Sequence, residues 1–272
     1  MSARIEMPWI LYGTAWKEER TAELVRLALA QGFTGIDTAN QRKHYHEAGV
    51  GEALAAAGAP RERLFLQTKF TYQRGQDHRL PYDPAAPLAQ QVQQSFASSL
   101  EHLGVDFIDS YVLHGPETGR GLTSGDRAVW RAMEELQRGG RAGIIGVSNI
   151  AADQLLALCD AAEVAPAVVQ NRCYARTGWD REVRAICRER GILYQGFSLL
   201  TANARELAAP AVGAIAQRLR ATTPQVVFAF ARAAGMNPLT GTTGETHMQQ
   251  DLAAAGLTLE PDAVAAIERL AA

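Results

Sequence analysis

The stretch LFLQTK, residues 64–69, runs from apolar side chains straight into a lysine. The same shape recurs elsewhere: FTGID (33–37) ends in an acid, IDSYVLH (108–114) in an imidazole, IIGVSN (144–149) and VVQ (168–170) in amides. Short apolar runs of this kind read as buried strands. In a parallel β/α barrel the C-terminal ends of the strands carry the chemistry, so polar groups gathered there point to an enzyme.

Outward from these strands, segments with apolar residues at helical spacing fill the gaps. Helices are expected over EERTAELVRLALAQG with Gly32 as C-cap, then over 47–57, 88–103, 127–138, 152–161 and 180–190. WILYG precedes the first of these as a strand and ILYQGF follows the last. Two successive helices are expected at 211–219 and 224–234, the second with Thr223 as N-cap and Pro224 at the first helical position. A weak strand at 236–239 and helices at 246–255 and 261–270 close the chain. Eight strands alternating with helices form a parallel sheet, and closing it buries both of its faces. The reading is therefore α/β, a single (β/α)8 TIM barrel over residues 1–272. An open doubly wound sheet is the competing fold, but no G-x-G-x-x-G turn accompanies the first strand.

The formal net charge of −2 is spread evenly and supplies no electrostatic footprint for nucleic acid or membrane. A small-molecule partner is the expectation, with oligomeric state left open. Cys159, Cys173 and Cys187 match no zinc or redox spacing, so no metal is expected and the thiols read as packing groups of a reducing compartment. No basic start followed by an apolar region and no run long enough to span a bilayer is evident, which makes cytoplasmic location the default.

Lys69 is the most telling side chain. Of 27 basic residues only Lys17, Lys43 and Lys69 are lysines. A lysine at the end of a buried strand suggests a need for an amine, whose pKa shifts on burial and which forms Schiff bases where arginine does not. The competing reading is a lysine snorkelling at the rim. Asp37, ending the preceding strand, is expected to pair with it. His114 ends the fourth strand at the same rim, and Ser148-Asn149 with Gln170-Asn171 offer hydroxyl and amide groups suited to a flat carboxamide. An eighteen-residue connection, FTYQRGQDHRLPYDPAAP (70–87), lies on that face. It either lines or covers a pocket with Tyr72, Arg74, His78, Arg79 and Tyr82, or is a solvated insertion.

GIDTA, EAGVG, QTKF, SLEHLGVDFIDSYVLHGP, GIIGVSN, VVQNRCY and LTGTTGETHMQQDL occur in that order. Together they resemble the successive blocks of the aldo-keto reductase superfamily, NAD(P)H-dependent β/α barrels, over essentially the whole chain. The resemblance implies a catalytic tetrad in which Asp37, Lys69 and His114 match cleanly. The tyrosine does not: it is displaced within NQRKHY, where Tyr45 is the one phenol and His44 stands three residues before Glu47, so either ring fills the acid position. On this pattern a hydride from nicotinamide C4 reduces a carbonyl while Tyr45 protonates the oxygen. Lys69 is expected to lower the phenol pKa, with Asp37 holding the lysine and His114 orienting the carbonyl.

The same resemblance implies a cofactor, NADP(H) ahead of NAD(H). Its nicotinamide end falls to Ser148, Asn149, Gln170, Phe197 and Ser198, and its phosphate end to Gly241, Thr242, Thr243, His247 and Asp251. A lysine often found in that last segment is Gly241 here and an arginine is His247, which weakens the grip on a 2′-phosphate. Trp16, Gly115, Tyr72 and Tyr82 are expected to line the substrate pocket, opened where a common tryptophan is replaced by Gly115. A small carbonyl compound is thus the expected substrate. The alternatives are a nucleotide-binding regulatory subunit that turns over slowly, like the potassium-channel beta subunits sharing this barrel, and a lyase working through a Lys69 Schiff base.

Overall fold

A computed structural model describes residues 6–270. The chain opens with β1 (Leu11–Gly13), α1 (Thr21–Gln31), β2 (Gly35–Asp37), α2 (Glu47–Ala57) and β3 (Phe65–Phe70). It continues through α3 (Leu88–Leu103), β4 (Ile108–Leu113), α4 (Ser124–Arg138), β5 (Ala142–Ser148), α5 (Ala152–Ala161) and β6 (Val168–Arg172). The last part holds α6 (Arg181–Arg190), β7 (Leu193–Phe197), α7 (Ala204–Leu207), α8 (Pro210–Leu219), α9 (Thr223–Ala233) and β8 (Met236–Thr240). α10 (Glu245–Ala253) and α11 (Pro261–Glu268) follow.

All eight strands pair in parallel in sequence order, and β1 closes the ring on β8 through Leu11↔Leu239 and Tyr12↔Thr240. The expected (β/α)8 barrel is therefore what forms. Helices pack around it because each carries an apolar stripe. α3, for example, buries Val92, Phe96 and Leu103, and Phe96 meets Tyr111 of β4 edge-on at 4.8 Å. Fully burying one such ring contributes about 1.5–3 kcal/mol. Gly51 on α2 is required by close packing: a Cβ there would lie 2.0 Å from the His102 carbonyl on α3. That approach holds α2, and with it Glu47 at its first position, against the barrel.

Capping boxes reset two helix starts relative to the pattern read in the sequence. α4 begins at Ser124, three residues early, because Thr123 and Asp126 form a reciprocal capping box. α9 is capped by Thr222 rather than Thr223, since Thr222 N–H donates to Gln225 Oε1 at 2.9 Å, which puts Thr223 and Pro224 inside the first turn. No helix among the described residues is long and apolar enough to cross a membrane.

Register decides what faces the barrel axis. Asp37 sits opposite Gln67, Gln67 opposite Ser110, Ser148 opposite Gln170, and Gln170 opposite Gln195. Residues two apart on a strand share a face, so Lys69 stands directly above Gln67.

Candidate active site

At the ends of β2 and β3 the Lys69 ammonium donates to both oxygens of Asp37 at 2.6 and 2.7 Å and to the Thr38 carbonyl at 2.8 Å. Its three protons are thereby used, and the side chain has no exposure to solvent. The expected pair exists, and it is a structural fixture rather than a snorkelling rim lysine. Burial pulls the Lys69 pKa down, with Asp37 opposing. A fully enclosed amine with every proton held leaves no face for Schiff-base attack, so the geometry speaks against the lyase alternative.

Below the pair lies a polar layer that the sequence reading missed. Gln67 Nε2 donates to Asp37 Oδ1 at 2.7 Å and to Gln195 Oε1 at 2.8 Å. Gln170 Nε2 reaches the same two acceptors at 3.0 and 2.8 Å, and Ser110 Oγ donates to Gln67 Oε1. Each of these side chains is buried and bonded, which removes the penalty of an orphaned polar group. The signal was present: glutamines stand inside two runs read as buried strands, LFLQTK and ILYQGF.

Tyr45 and His44 come from the segment between β2 and α2. The Tyr45 ring lies with its centroid 5.4 Å from Lys69 Nζ and meets the His114 ring edge-on at 5.9 Å. Its hydroxyl has no hydrogen-bond partner among the described residues. His44 instead stacks on Trp16 at 3.9 Å. Of the two rings left open by the sequence, the phenol is the one beside the lysine. The expected pKa shift, however, is reversed. Burial and the nearby Asp37 carboxylate push the phenol above its ordinary value, opposed by Arg172, and Lys69 has no proton left to offer it.

His114 follows β4, and its Nδ1 lies 2.7 Å from Thr71 Oγ1. Burial first, then the charge on Lys69, pulls its pKa down to about 3, so the ring is neutral across the physiological range. It opens on a cavity of about 330 Å³ walled also by Gln41, Thr71, Arg74, Thr118 and Asn149. Gly115 and Tyr72 also line this cavity. The Tyr72 hydroxyl is committed to Asp126 Oδ1 at 2.9 Å, so only its ring faces the space. Tyr82 does not line it: the hydroxyl donates to the Thr71 carbonyl at 2.8 Å and the ring packs on Phe70, behind the wall. Trp16, 67% exposed, stands outside this cavity beside His44. The long connection is thus anchored by two buried tyrosines rather than solvated throughout, while His78 and Arg79 point to solvent.

On the opposite side of the mouth, Asn149 Nδ2 donates to the His114 carbonyl at 2.8 Å and to Ser148 Oγ at 3.1 Å. Ser148 Oγ donates to the Gln170 carbonyl at 2.6 Å. The Gln170 and Asn149 side-chain oxygens are left without partners among the described residues. Phe197, at the end of β7, carries the Arg172 guanidinium over its ring at 5.4 Å, and Ser198 follows it. Three residues that follow strands here hold the left-handed backbone: Trp16 (φ 62°), Asn149 (φ 52°) and Ser198 (φ 57°).

At the end of β8, Gly241, Thr243 and His247 are exposed and Thr242 half-buried, while Asp251 is buried and accepts from Thr240 Oγ1 at 2.7 Å. Burial raises the Asp251 pKa to about 6. The Lys17 ammonium, which the sequence reading passed over, donates to the Gly241 carbonyl and has no carboxylate partner among the described residues. It returns a cation to the position where the chain has glycine in place of lysine.

The closed parallel barrel gathers a phenol, an imidazole and a buried acid–amine pair at one end. The aldo/keto reductase family profile matches residues 6–272, and the chain belongs to that family. It is 30% identical to an aldo-keto reductase of Mycobacterium avium (strain 104) over 97% of this chain and 86% of that protein. It is 32% identical to the glyoxal reductase of Bacillus subtilis (strain 168) over 72% of this chain and 64% of that one. Among solved structures, MGS-M4, an aldo-keto reductase enzyme from a Medee basin deep-sea metagenome library, aligns with a TM-score of 0.85 at 23% identity, covering 98% and 92% of the two chains. The chain is an NAD(P)H-dependent oxidoreductase acting in carbonyl chemistry.

Proposed function

We propose that this enzyme reduces a small aldehyde or ketone to the alcohol with NADPH, using Tyr45 as the proton donor. The observation that carries the reading is the Tyr45 ring held beside Lys69 and His114, with a hydroxyl that has no hydrogen-bond partner among the described residues. A raised phenol pKa keeps that proton on the oxygen at neutral pH, so the group is present in the protonated form a general acid needs. Thr71 is placed to donate to His114 Nδ1, leaving the imidazole proton on Nε2 to hydrogen-bond the same carbonyl.

The residues present fit a nicotinamide nucleotide. The two unpartnered amide oxygens of Gln170 and Asn149 match the N–H groups of a carboxamide, and Phe197 offers a ring face. When bound, the reduced nicotinamide supplies the hydride. At the other end Thr242, Thr243 and the uncapped N-terminus of α10 suit a phosphate, and Lys17 adds the charge that favours NADP(H).

The test is oxidation of NADPH and of NADH with a panel of small aldehydes and dicarbonyls, for the wild type and Tyr45→Phe. Full activity in the variant would remove the acid assignment. For the cofactor, Lys17→Met is expected to weaken NADP+ binding about tenfold, as loss of a charge-assisted contact does, with NAD+ less affected, read by quenching of tryptophan fluorescence. Equal losses for both nucleotides would detach Lys17 from the 2′-phosphate.

A further inference from the structure

The cavity beside His114 has an uneven electrical character. Gln41, Thr71, Thr118 and Asn149 offer neutral hydrogen-bonding groups, and His114 is uncharged. Arg74 is the one side chain in that wall with a full charge. It sits in a short 3-10 turn, Gln73–Gly75, between β3 and α3. The turn is tied down from both sides: Gln41 Nε2 donates to the Gly75 carbonyl at 2.7 Å, and Arg74 Nη2 donates to the Pro116 carbonyl at 2.5 Å, across the cavity mouth. The tether leaves Arg74 Nε and Nη1 without partners among the described residues.

The nearby carboxylates are otherwise engaged. Asp126 is buried and accepts from the Tyr72 hydroxyl and from the backbone N–H groups of Glu117 and Thr123. Glu117 Oε2 accepts from Thr123 Oγ1 at 2.7 Å. Neither lies within ion-pair distance of Arg74, whereas Arg42 and Arg79 are paired with Glu19 and Asp77. Lys69 and Asp37 neutralise each other. A guanidinium without a counter-ion, tethered in the wall of an open cleft, presents positive potential to whatever enters, and its fork matches a carboxylate.

We propose that Arg74 is a specificity residue and that the preferred substrates are carbonyl compounds bearing a carboxylate, the aldehyde or ketone oxygen turned to Tyr45 and His114 and the carboxylate to Arg74. This rests on the carbonyl-reductase reading above and names its substrate class. Arg74 takes no part in hydride or proton transfer; it positions the substrate.

The test compares matched pairs that differ only in charge: 4-oxobutanoate against its methyl ester, and 4-carboxybenzaldehyde against its methyl ester, each with NADPH. The wild type is expected to show at least tenfold higher kcat/KM for the acid of one pair or both. Arg74→Met should erase that advantage through KM, leave the esters within about twofold of wild type, and abolish the salt dependence of KM for the acids, which screening imposes on a charge–charge contact. Arg74→Lys should restore part of the preference. The esters are the control for folding and for turnover. Equal rates for acid and ester in the wild type, or equal losses for both in Arg74→Met, would overturn the proposal while leaving carbonyl reduction intact. Reduction of no substrate by folded, NADPH-binding protein would remove the underlying reading as well.

Discussion

At the ends of β2 and β3, Asp37 and Lys69 use every hydrogen bond they have on protein groups. In the neighbouring segment between β2 and α2, the Tyr45 hydroxyl and the buried His44 Nδ1 have no partner among the described residues. The strand-borne pair is a fixed source of field, set by backbone register and sealed from water. The loop-borne ring keeps its bonding capacity open. Preorganised charge and a free proton make opposite demands on packing, and the fold meets them by drawing them from different kinds of element.

The contrast is broken most severely by Lys69→Met. It leaves the Asp37 carboxylate buried without its cation, which costs about 3–5 kcal/mol. Denaturant unfolding should show that loss, together with disappearance of carbonyl reduction. Next in size is Tyr45→Phe, expected to lower kcat about 10²–10⁴-fold as loss of a general acid does, with Tm nearly unchanged because the hydroxyl bonds to no group among the described residues. His44→Ala sharpens the same point. It removes a stacked ring without a proton-transfer role, so its kcat should stay within a few-fold of wild type, and a loss matching that of Tyr45→Phe would reverse the two assignments.

The pH dependence is subtler. An imidazole whose folded pKa is pulled from 6.5 to about 3 stays neutral until the acid range. The reduction rate at saturating NADPH and substrate should therefore show no acid limb near pH 6.5. In unfolding measurements the sign is fixed by linkage. The unfolded chain binds the His114 proton more readily, so this group's contribution to stability is whole above pH 6.5 and is lost as pH falls towards 3. The smallest effect is expected for Tyr82→Phe, which deletes one buried bond behind the cavity: about 1 kcal/mol of stability, read as a drop in Tm with kcat/KM unaltered.

How far the chain could be read follows the same division. The strand-end acid, lysine and imidazole were legible because a period of two and a terminal polar residue are local signals. So were α2, α3 and α5, whose limits match their sequence spacing. The polar layer was not, because Gln67 and Gln195 are 128 residues apart and meet only when the sheet closes. Tyr82 was misplaced because an aromatic in a long loop carries no mark of which way it turns. Lys17 escaped notice because the glycine it serves is 224 positions away. The direction of the Tyr45 shift was misjudged for a countable reason: proximity to an ammonium was visible, but not that its three protons were already engaged.

Asn149 carries a consequence for how this protein can change. A non-glycine residue held in the left-handed region costs about 1–2 kcal/mol, and Trp16 and Ser198 bear the same load at the ends of two other strands. Glycine at position 149 would relieve that strain. It would also delete the amide that ties β5 to the His114 carbonyl and faces the cavity. Relief of backbone strain and retention of the amide therefore pull this position in opposite directions.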